Sequence, residues 1–439
     1  MENRRTPGLV LLMLGAALFV IIGILWSRNA YLIRGGDFKV VYYSARCLLH
    51  HGDPYSETEV LRVYEQEGRE SPNQTITSRH VMTRYFYPPA AFVMTVPFAL
   101  VGFGPGNVLW IVISASSLIL GAFLMWELSA NHAPILSGAL LGLLLMNSFW
   151  LFMIGNAAAI AVGFCAIAVW CFLRRRFGLA GAILLALSLA LKPNDSGLVW
   201  LFFLLAGGTL RKRALQSFGI LVIFSVPVVL WVTHYSPQWP QEMRANMATF
   251  SERGGMTDPT AAGKAGKNMD SLAELQSAVS ILWPDAAIYN IITWILCGTL
   301  LIIWVIVSLQ SGSSKSQGWF ALAAAAPLTM LPTYHFQHDA KLVMLAIPGC
   351  AVLWARRDLI GWAAVFVTSA AIIVNGDIFS GVRILLSRSM VAQQTSFSGR
   401  LVAMVFTRPA PLALLSMAIF YLWVCRIPSW RRNEPYPRA

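Results

Sequence analysis

The chain has 439 residues, of which 57% are hydrophobic and 12% are charged. An average soluble domain is about 45–50% apolar and about 25% charged, so this composition excludes a soluble enzyme, a disordered scaffold and a nucleic-acid-binding module. Lysine and arginine number 33 against 20 aspartates and glutamates, a surplus that in a membrane protein indicates cytoplasmic loops rather than an anionic ligand. The six cysteines are too few, and too deep in apolar runs, for a disulfide framework.

Apolar runs long enough to cross a bilayer recur along the chain, which predicts an all-α polytopic membrane protein in one domain, 1–439. The first run, 8–26, ends without the small-residue cleavage site of a secretory signal, so we expect an uncleaved helix. We expect about 12 crossing helices in all. The later runs are 105–127, 134–152, 155–173, 177–191, 197–210, 214–233, 287–308, 318–333, 341–354, 359–375 and 401–424.

Basic clusters predict the orientation, because they favour the cytoplasmic side. All of them fall on that side if 86–103, an apolar stretch interrupted by prolines, dips into the membrane without crossing it. The clusters are Arg4–Arg5, Arg174–Arg176, Arg211–Arg213, Arg356–Arg357, and Arg426 with Arg431–Arg432. The N terminus and a basic tail, 425–439, are then cytoplasmic, and the polar loops 27–85 and 234–286 lie on the outer face with the shorter segments 192–196, 334–340 and 376–400.

The first outer loop begins with Gly35-Gly36-Asp37. Apolar residues at helical spacing over 40–49 predict an amphipathic helix on the bilayer surface. Asp37 is therefore either a cap of that helix or a functional carboxylate. The string Arg84-Tyr85-Phe86-Tyr87-Pro88-Pro89 opens the dipping segment, where paired prolines often only end or kink a helix.

Three later strings place polar groups among apolar runs: Gly155-Asn156, Leu191-Lys192-Pro193-Asn194-Asp195, and Tyr334-His335-Phe336-Gln337-His338-Asp339 followed by Lys341. Lys192 could simply extend to the interface. His335, His338 and Asp339 have a spacing that zinc could use on a helix, but nothing else nearby is rich in ligands. An ordinary polar loop is a second interpretation, and recognition of an anion or a sugar is the favoured one; no metal or cofactor is expected.

These strings together resemble the polyprenol-phosphate-mannose-dependent glycosyltransferases of the GT-C superfamily, which include a phosphatidylinositol-mannoside mannosyltransferase. The similarity is carried by GGDFKVVYYSARCLLHHGDPY, YFYPPAAFVMTVPFAL, GNAAAIAVGFCAIAVWCFLRRRFGLAGAILLALSLALKP and TYHFQHDAKLVMLAIP. It implies a multi-helical GT-C fold with surface helices and an active site at the outer face. The donor would be a sugar, usually mannose, on a polyprenyl phosphate. Asp37 matches the family's general base, and His338 or His335 its donor-site histidine, whereas Asn156 stands where the family generally has glutamine.

The chemistry of the residues fits such a reaction without the resemblance. A polyprenyl phosphate is a good leaving group, so the enzyme needs one base for the acceptor hydroxyl and cations for the released phosphate. Asp37 is the expected base. We expect the phosphate contacts from His338, His335, Lys192, Lys341 and Arg84, and a substrate pocket that includes Tyr42, Tyr87, Asn156 and Asp339.

Together with the resemblance, which implies mannose as the sugar, the sequence predicts a hexosyltransferase in a bacterial inner or plasma membrane. It would take a polyprenyl-phosphate sugar as donor and a glycolipid or glycan as acceptor, with no nucleic-acid partner. The alternative is a transporter or flippase for a polar lipid or small solute, which would place charged residues at mid-membrane depth. The named ionisable residues instead fall near the ends of predicted spans, which counts against transport.

Overall fold

The computed structural model describes residues 5–29, 36–67, 84–252, 255, 257–260, 272–310, 315–379 and 396–427. Predictions for most of the tail 425–439, and for parts of the segments 27–85, 234–286 and 376–400, lie outside the described residues.

The described chain is helical throughout, with one isolated bridge between Leu272 and Phe336 as its extended pairing. The helices are α1 Arg5–Asn29, α2 Gly36–Leu49, α3 Glu57–Glu67, α4 Phe92–Ala99, α5 Phe103–Ser129, α6 Pro134–Met146, α7 Phe149–Ile154, α8 Ala158–Leu173, α9 Gly178–Leu191, α10 Pro193–Ala206, α11 Gly208–Tyr235, α12 Trp239–Ser251, α13 Leu275–Leu282, α14 Ala286–Gln310, α15 Lys315–Met330, α16 Ile347–Trp354, α17 Leu359–Val374, α18 Phe397–Thr407 and α19 Pro409–Arg426. Two 3₁₀ segments, Pro89–Ala91 and Asp339–Ala346, precede α4 and α16.

Six helical stretches in the described chain are long and apolar enough to cross a membrane. They are Arg5–Ser27, Phe103–Ser129, Pro134–Ile154, Gly208–Tyr235, Ala286–Gln310 and Pro409–Arg426. Large apolar side chains remain exposed along them, as in α11 and α14, which suits contact with lipid. The predicted all-α polytopic class is confirmed, and several of the other predicted spans form shorter apolar helices.

Two predicted elements differ from the structure. The run 401–424 is not one helix, because it ends at Thr407 and restarts at Pro409, where proline has no backbone N–H to continue the ladder. The helix predicted from 40–49 is present as α2, but residues 38–45 are all buried, so α2 packs into the protein rather than presenting one free face.

The dipping segment 86–103 contains the eight-residue helix α4, far short of the roughly 20 residues that a crossing needs.

Helices α1 and α6 pack at unusually close range because glycines line their contact. A Cβ on Gly138 would lie 1.9 Å from the carbonyl oxygen of Gly8, and one on Gly15 would lie 2.2 Å from that of Gly142. Only a residue without a side chain allows backbones to approach this closely. The contact holds α1 against α6. Helix α1 precedes α2 in the chain, and α6 precedes α7.

A second hydrophobic core, rich in aromatic rings, lies around α2. Tyr42 is 1% exposed, its hydroxyl donates to the carbonyl of Val101 at 2.8 Å, and its ring meets the Phe103 ring edge-on. Phe38 packs on Trp110 in the same core, with ring centroids 5.1 Å apart. This core holds the first turn of α2, and with it Asp37, over α5.

Candidate functional site

Polar side chains from four distant segments meet in a group that we call the central polar cluster: Asp37, Asn156, Lys192, Asp195, His335, His338 and Asp339. Asp37 lies in the first turn of α2, Asn156 precedes α8, and Lys192 joins α9 to α10. The histidines and Asp339 lie between α15 and the second 3₁₀ segment. Residues as far apart in the chain as Asp37 and Asp339 therefore form one site.

Asp37, Asn156 and His338 form a hydrogen-bonded chain. The amide nitrogen of Asn156 donates to Asp37 Oδ2 at 2.5 Å and lies 3.1 Å from Nε2 of His338. Because an amide nitrogen only donates, this contact makes His338 Nε2 an acceptor and the imidazole neutral. The Asn156 side chain thus orients both the carboxylate and the imidazole.

The backbone around Asn156 explains why it points into the cluster. Gly155 ends α7 in the left-handed region at φ 67°, which glycine adopts without strain. Its carbonyl accepts a 2.8 Å hydrogen bond from the indole of Trp110, and Asn156 Oδ1 accepts one at 2.8 Å from the amide of Ala158. The Asn156 oxygen is therefore held by the start of α8, and its NH₂ group faces the cluster.

Burial changes the protonation of both partners of Asn156. It raises the pKa of Asp37 to about 6, although the Asn156 hydrogen bond and the positive charge of Lys192 act in the opposite direction. It lowers the pKa of His338 to about 4, since a charged imidazole would be poorly solvated there. Near neutral pH the pair is therefore an ionised carboxylate beside a neutral imidazole, and that carboxylate is a competent proton acceptor.

Lys192 connects the carboxylates of the cluster. Its ammonium donates to Asp339 Oδ1 and lies 3.5 Å from Asp195 Oδ2. Burial opposes ionisation of Asp339, but Lys192 and the two histidines outweigh it and lower the pKa of Asp339 below its usual value. Asp339 Oδ2 also accepts from the backbone amide of Phe336 at 3.1 Å, so this carboxylate is fixed from both sides.

His335 is fully buried behind Lys192. Its Nδ1 lies 3.0 Å from the carbonyl oxygen of Thr333, and its Nε2 lies 3.0 Å from the amide nitrogen of Asn194 and 3.4 Å from Asp195 Oδ1. Burial disfavours the charged ring, but the contacts with Asp195 and Asp339 outweigh it and raise the pKa of His335 above its usual value. Ligand-type atoms of Asp195, His335 and Asp339 all lie within 4.8 Å of one another.

The structure does not bring every predicted site residue into the cluster. Arg84 forms an ion pair with Glu57 at 2.9 Å, and Tyr42 belongs to the aromatic core around α2. The Lys341 ammonium donates to the backbone carbonyls of Asn147 at 2.7 Å and Asn375 at 3.1 Å. The predicted roles of these three side chains stay predictions. Lys192, His335, His338 and Asp339, which were also predicted, do meet in the cluster.

Tyr87 borders the cluster. Burial raises the pKa of its phenol well above the usual value, and the charges of Asp37, Asp339 and Asp195 raise it further. Its hydroxyl is consequently a neutral group beside three carboxylates. Its predicted place in a substrate pocket stays a prediction.

Sequence reasoning did not assign Asp195 or Glu274 to the site. Asp195 is 1% exposed and follows Lys192 by three residues at the start of α10, a spacing that places both on one helical face and could have revealed it. Glu274 is buried beside the His335 backbone, and burial raises its pKa to about 7. No local pattern around Glu274 indicates this position.

Residues 85–268 match the family model described as Glycosyltransferase family 87. The matched segment contains Asn156, Lys192 and Asp195, while Asp37 and the two histidines lie outside it. No curated protein matches the chain, and no solved structure matches it. The matched segment is less than half of the chain and makes it similar to a glycosyltransferase family, while the six helical stretches able to cross a membrane are those expected of a multi-pass membrane protein.

Proposed function

We propose that this protein transfers a sugar, with mannose as the expected one, from a polyprenyl-phosphate carrier to a hydroxyl group of a glycolipid or glycan. The reaction takes place at the outer face of a bacterial inner or plasma membrane, with the N terminus in the cytoplasm. Asp37 acts as the general base. The observation that carries the proposal is the hydrogen-bonded chain of Asp37, Asn156 and His338 beside the Lys192 ammonium.

The reaction balances with one base. The acceptor oxygen bonds to the anomeric carbon while its proton passes to Asp37. The bond between the anomeric carbon and the phosphate oxygen breaks, and its electron pair stays on the phosphate. Attack opposite the leaving group inverts the anomeric configuration. A second carboxylate acting as general acid is not needed, because the phosphate departs without being protonated.

The architecture supports a lipid-linked donor. A polyprenyl tail needs an apolar surface reachable from the bilayer, and exposed apolar side chains such as Leu230 on α11 offer one. A nucleotide-sugar donor would call for a folded domain outside the membrane, and the described residues between the long helices form short helices only. Lipid-linked sugars are therefore the donors that suit this protein.

The proposal is tested by offering purified protein a panel of radiolabelled donors with a membrane extract as acceptor. We expect label to move from polyprenyl-phosphate mannose into lipid or glycan, and not from nucleotide sugars. Transfer from nucleotide sugars, or vesicle transport of a lipid without any glycosylated product, would contradict the proposal. Chemical identification of the labelled product would identify the acceptor.

The pH dependence of transfer should report Asp37. The base must be ionised, so kcat/KM is expected to level off roughly one pH unit above the pKa of Asp37, which is about 6, and to fall as pH drops through that value. Asn156→Ala removes a hydrogen bond that favours the ionised carboxylate, so the acid limb should move to higher pH. Rate measurements from about pH 4.5 to about pH 8.5 check both expectations.

Asn156→Gln is the matched variant for this measurement, because it keeps an amide donor. Its acid limb should remain closer to that of the wild type than the limb of Asn156→Ala. An acid limb that moves to lower pH in Asn156→Ala would mean that the hydrogen bond does not tune Asp37.

A further inference from the structure

The charge of the central polar cluster does not suit a phosphate as it stands. The Lys192 ammonium and the His335 imidazole face three carboxylates, those of Asp37, Asp195 and Asp339. A polyprenyl-phosphate sugar adds a negative charge, and its departing phosphate gains another. Even with His335 protonated, three carboxylates outnumber two cations, so a phosphate here would meet a negative surplus unless a further cation joins the described residues.

Three side chains are arranged as ligands for such a cation. Ligand-type atoms of Asp195, His335 and Asp339 lie within 4.8 Å of one another, and all three residues are buried. Two carboxylate oxygens and one imidazole nitrogen form a mixed set that Mn²⁺ and Zn²⁺ accept. Three protein ligands also leave coordination positions open for a phosphate oxygen.

The environment of the Asp195 carboxylate also indicates a bound cation. It is 1% exposed, yet neither of its oxygens accepts a hydrogen bond from the described residues. Its contacts with Lys192 at 3.5 Å and His335 at 3.4 Å are longer than hydrogen bonds to a carboxylate. Oδ1 faces His335 and Oδ2 faces the Lys192 ammonium. Burying a carboxylate without hydrogen bonds is costly, and a cation bound beside His335 would supply the missing contact.

The surroundings of the other two ligands are those of a metal site. The Nδ1 atom of His335 lies 3.0 Å from the Thr333 carbonyl, so it carries the proton and leaves the lone pair of Nε2 facing the cluster. Asp339 keeps one oxygen on the backbone amide of Phe336 at 3.1 Å and presents the other to the cluster. Such outer contacts fix ligand orientation before a metal binds.

We propose that Asp195, His335 and Asp339 bind one divalent metal ion of the Mn²⁺ or Zn²⁺ type. The ion would neutralise the donor phosphate while the bond to the sugar breaks, a role that rests on the proposed function. This departs from the sequence-based expectation of a metal-free site, because Asp195 was not recognised as a partner of the histidine segment.

Lys192 competes with the ion in this arrangement. Its ammonium contacts Asp339 and must swing aside when the metal binds, as the amide of Asn194 must release Nε2 of His335. Lys192 is a long, flexible side chain, so the movement is local. Removing its charge should therefore tighten metal binding, an effect opposite in sign to the loss of a ligand.

The test measures Mn²⁺ binding to chelator-treated, full-length protein in lipid nanodiscs. Electron paramagnetic resonance of the free ion is the readout. We expect one bound Mn²⁺ per chain, binding weakened about tenfold or more by Asp195→Asn and by His335→Gln, and binding tightened by Lys192→Met. Asp285→Asn, an exposed carboxylate before α14, is the control and should bind as the wild type does. Monodisperse elution of each variant shows that it is folded.

The outcomes separate the two proposals. Transfer from a lipid-linked donor that survives chelation, in protein that binds neither Mn²⁺ nor Zn²⁺, overturns the metal site and leaves the proposed function standing. Metal binding that depends on Asp195 and His335, in protein that uses no polyprenyl-phosphate donor, overturns the function and supports the site. Binding that none of the three variants changes also overturns the site.

Discussion

Asp37→Asn is expected to reduce sugar transfer by about a thousandfold or more, because an amide cannot take the proton of the acceptor hydroxyl. The substitution keeps the size of the side chain, and its oxygen can still accept the hydrogen bond from Asn156 that Asp37 Oδ2 accepts at 2.5 Å. The fold should therefore be preserved. Initial rates with radiolabelled polyprenyl-phosphate mannose measure the loss, and size-exclusion elution and the apparent Tm measure the fold.

Asp53→Asn is the matched control, since it makes the same change in the same segment. Asp53 Oδ1 accepts a 2.8 Å hydrogen bond from the amide of Tyr55, which an asparagine oxygen can also accept. This variant should transfer at close to the wild-type rate. Asp37→Asn protein that transfers as the wild type does would remove Asp37 as the base, while equal losses in both variants would indicate damage to the loop rather than to the chemistry.

The helical architecture could be predicted because the bilayer imposes a strong pattern on sequence. The run 105–127 lies within α5, Phe103–Ser129, and the run 287–308 lies within α14, Ala286–Gln310. Runs of apolar residues do not reveal where a helix breaks, so 401–424 was predicted as one span although it ends at Thr407. Burial of α2 on nearly all sides could not be predicted either, because it depends on α4 and α5, which follow much later in the chain.

Part of the candidate site could be predicted because ionisable groups next to apolar runs are costly and suggest function. That reasoning found Asp37, Lys192 and His338, which the structure brings into one cluster. The same reasoning predicted phosphate contacts for Arg84 and Lys341. In the fold, Arg84 pairs with Glu57, and Lys341 donates to the backbone carbonyls of Asn147 and Asn375. Whether a buried cation faces a substrate or a backbone carbonyl is decided by tertiary contacts, which a single sequence does not contain.

Gly138→Val is expected to destabilise the protein by about 3 kcal/mol or more, since its side chain would have to displace a neighbouring backbone rather than a flexible side chain. The Cβ alone would lie 1.9 Å from the carbonyl oxygen of Gly8. Separation of α1 from α6 should also impair catalysis, because α1 leads toward Asp37 and α6 leads through α7 to Asn156. The apparent Tm in detergent and the transfer rate of the protein that remains folded measure the two effects.

Gly219→Val provides the control on α11, where an added Cβ meets nothing within 4 Å. It should leave both the Tm and the rate near wild-type values, so a loss in Gly138→Val cannot be attributed to valine in a membrane helix as such. A stable Gly138→Val protein would mean that α1 and α6 can separate without cost. Loss of stability with full transfer by the folded fraction would instead mean that the distance between Asp37 and Asn156 is set by the aromatic core around α2, not by the glycine contact.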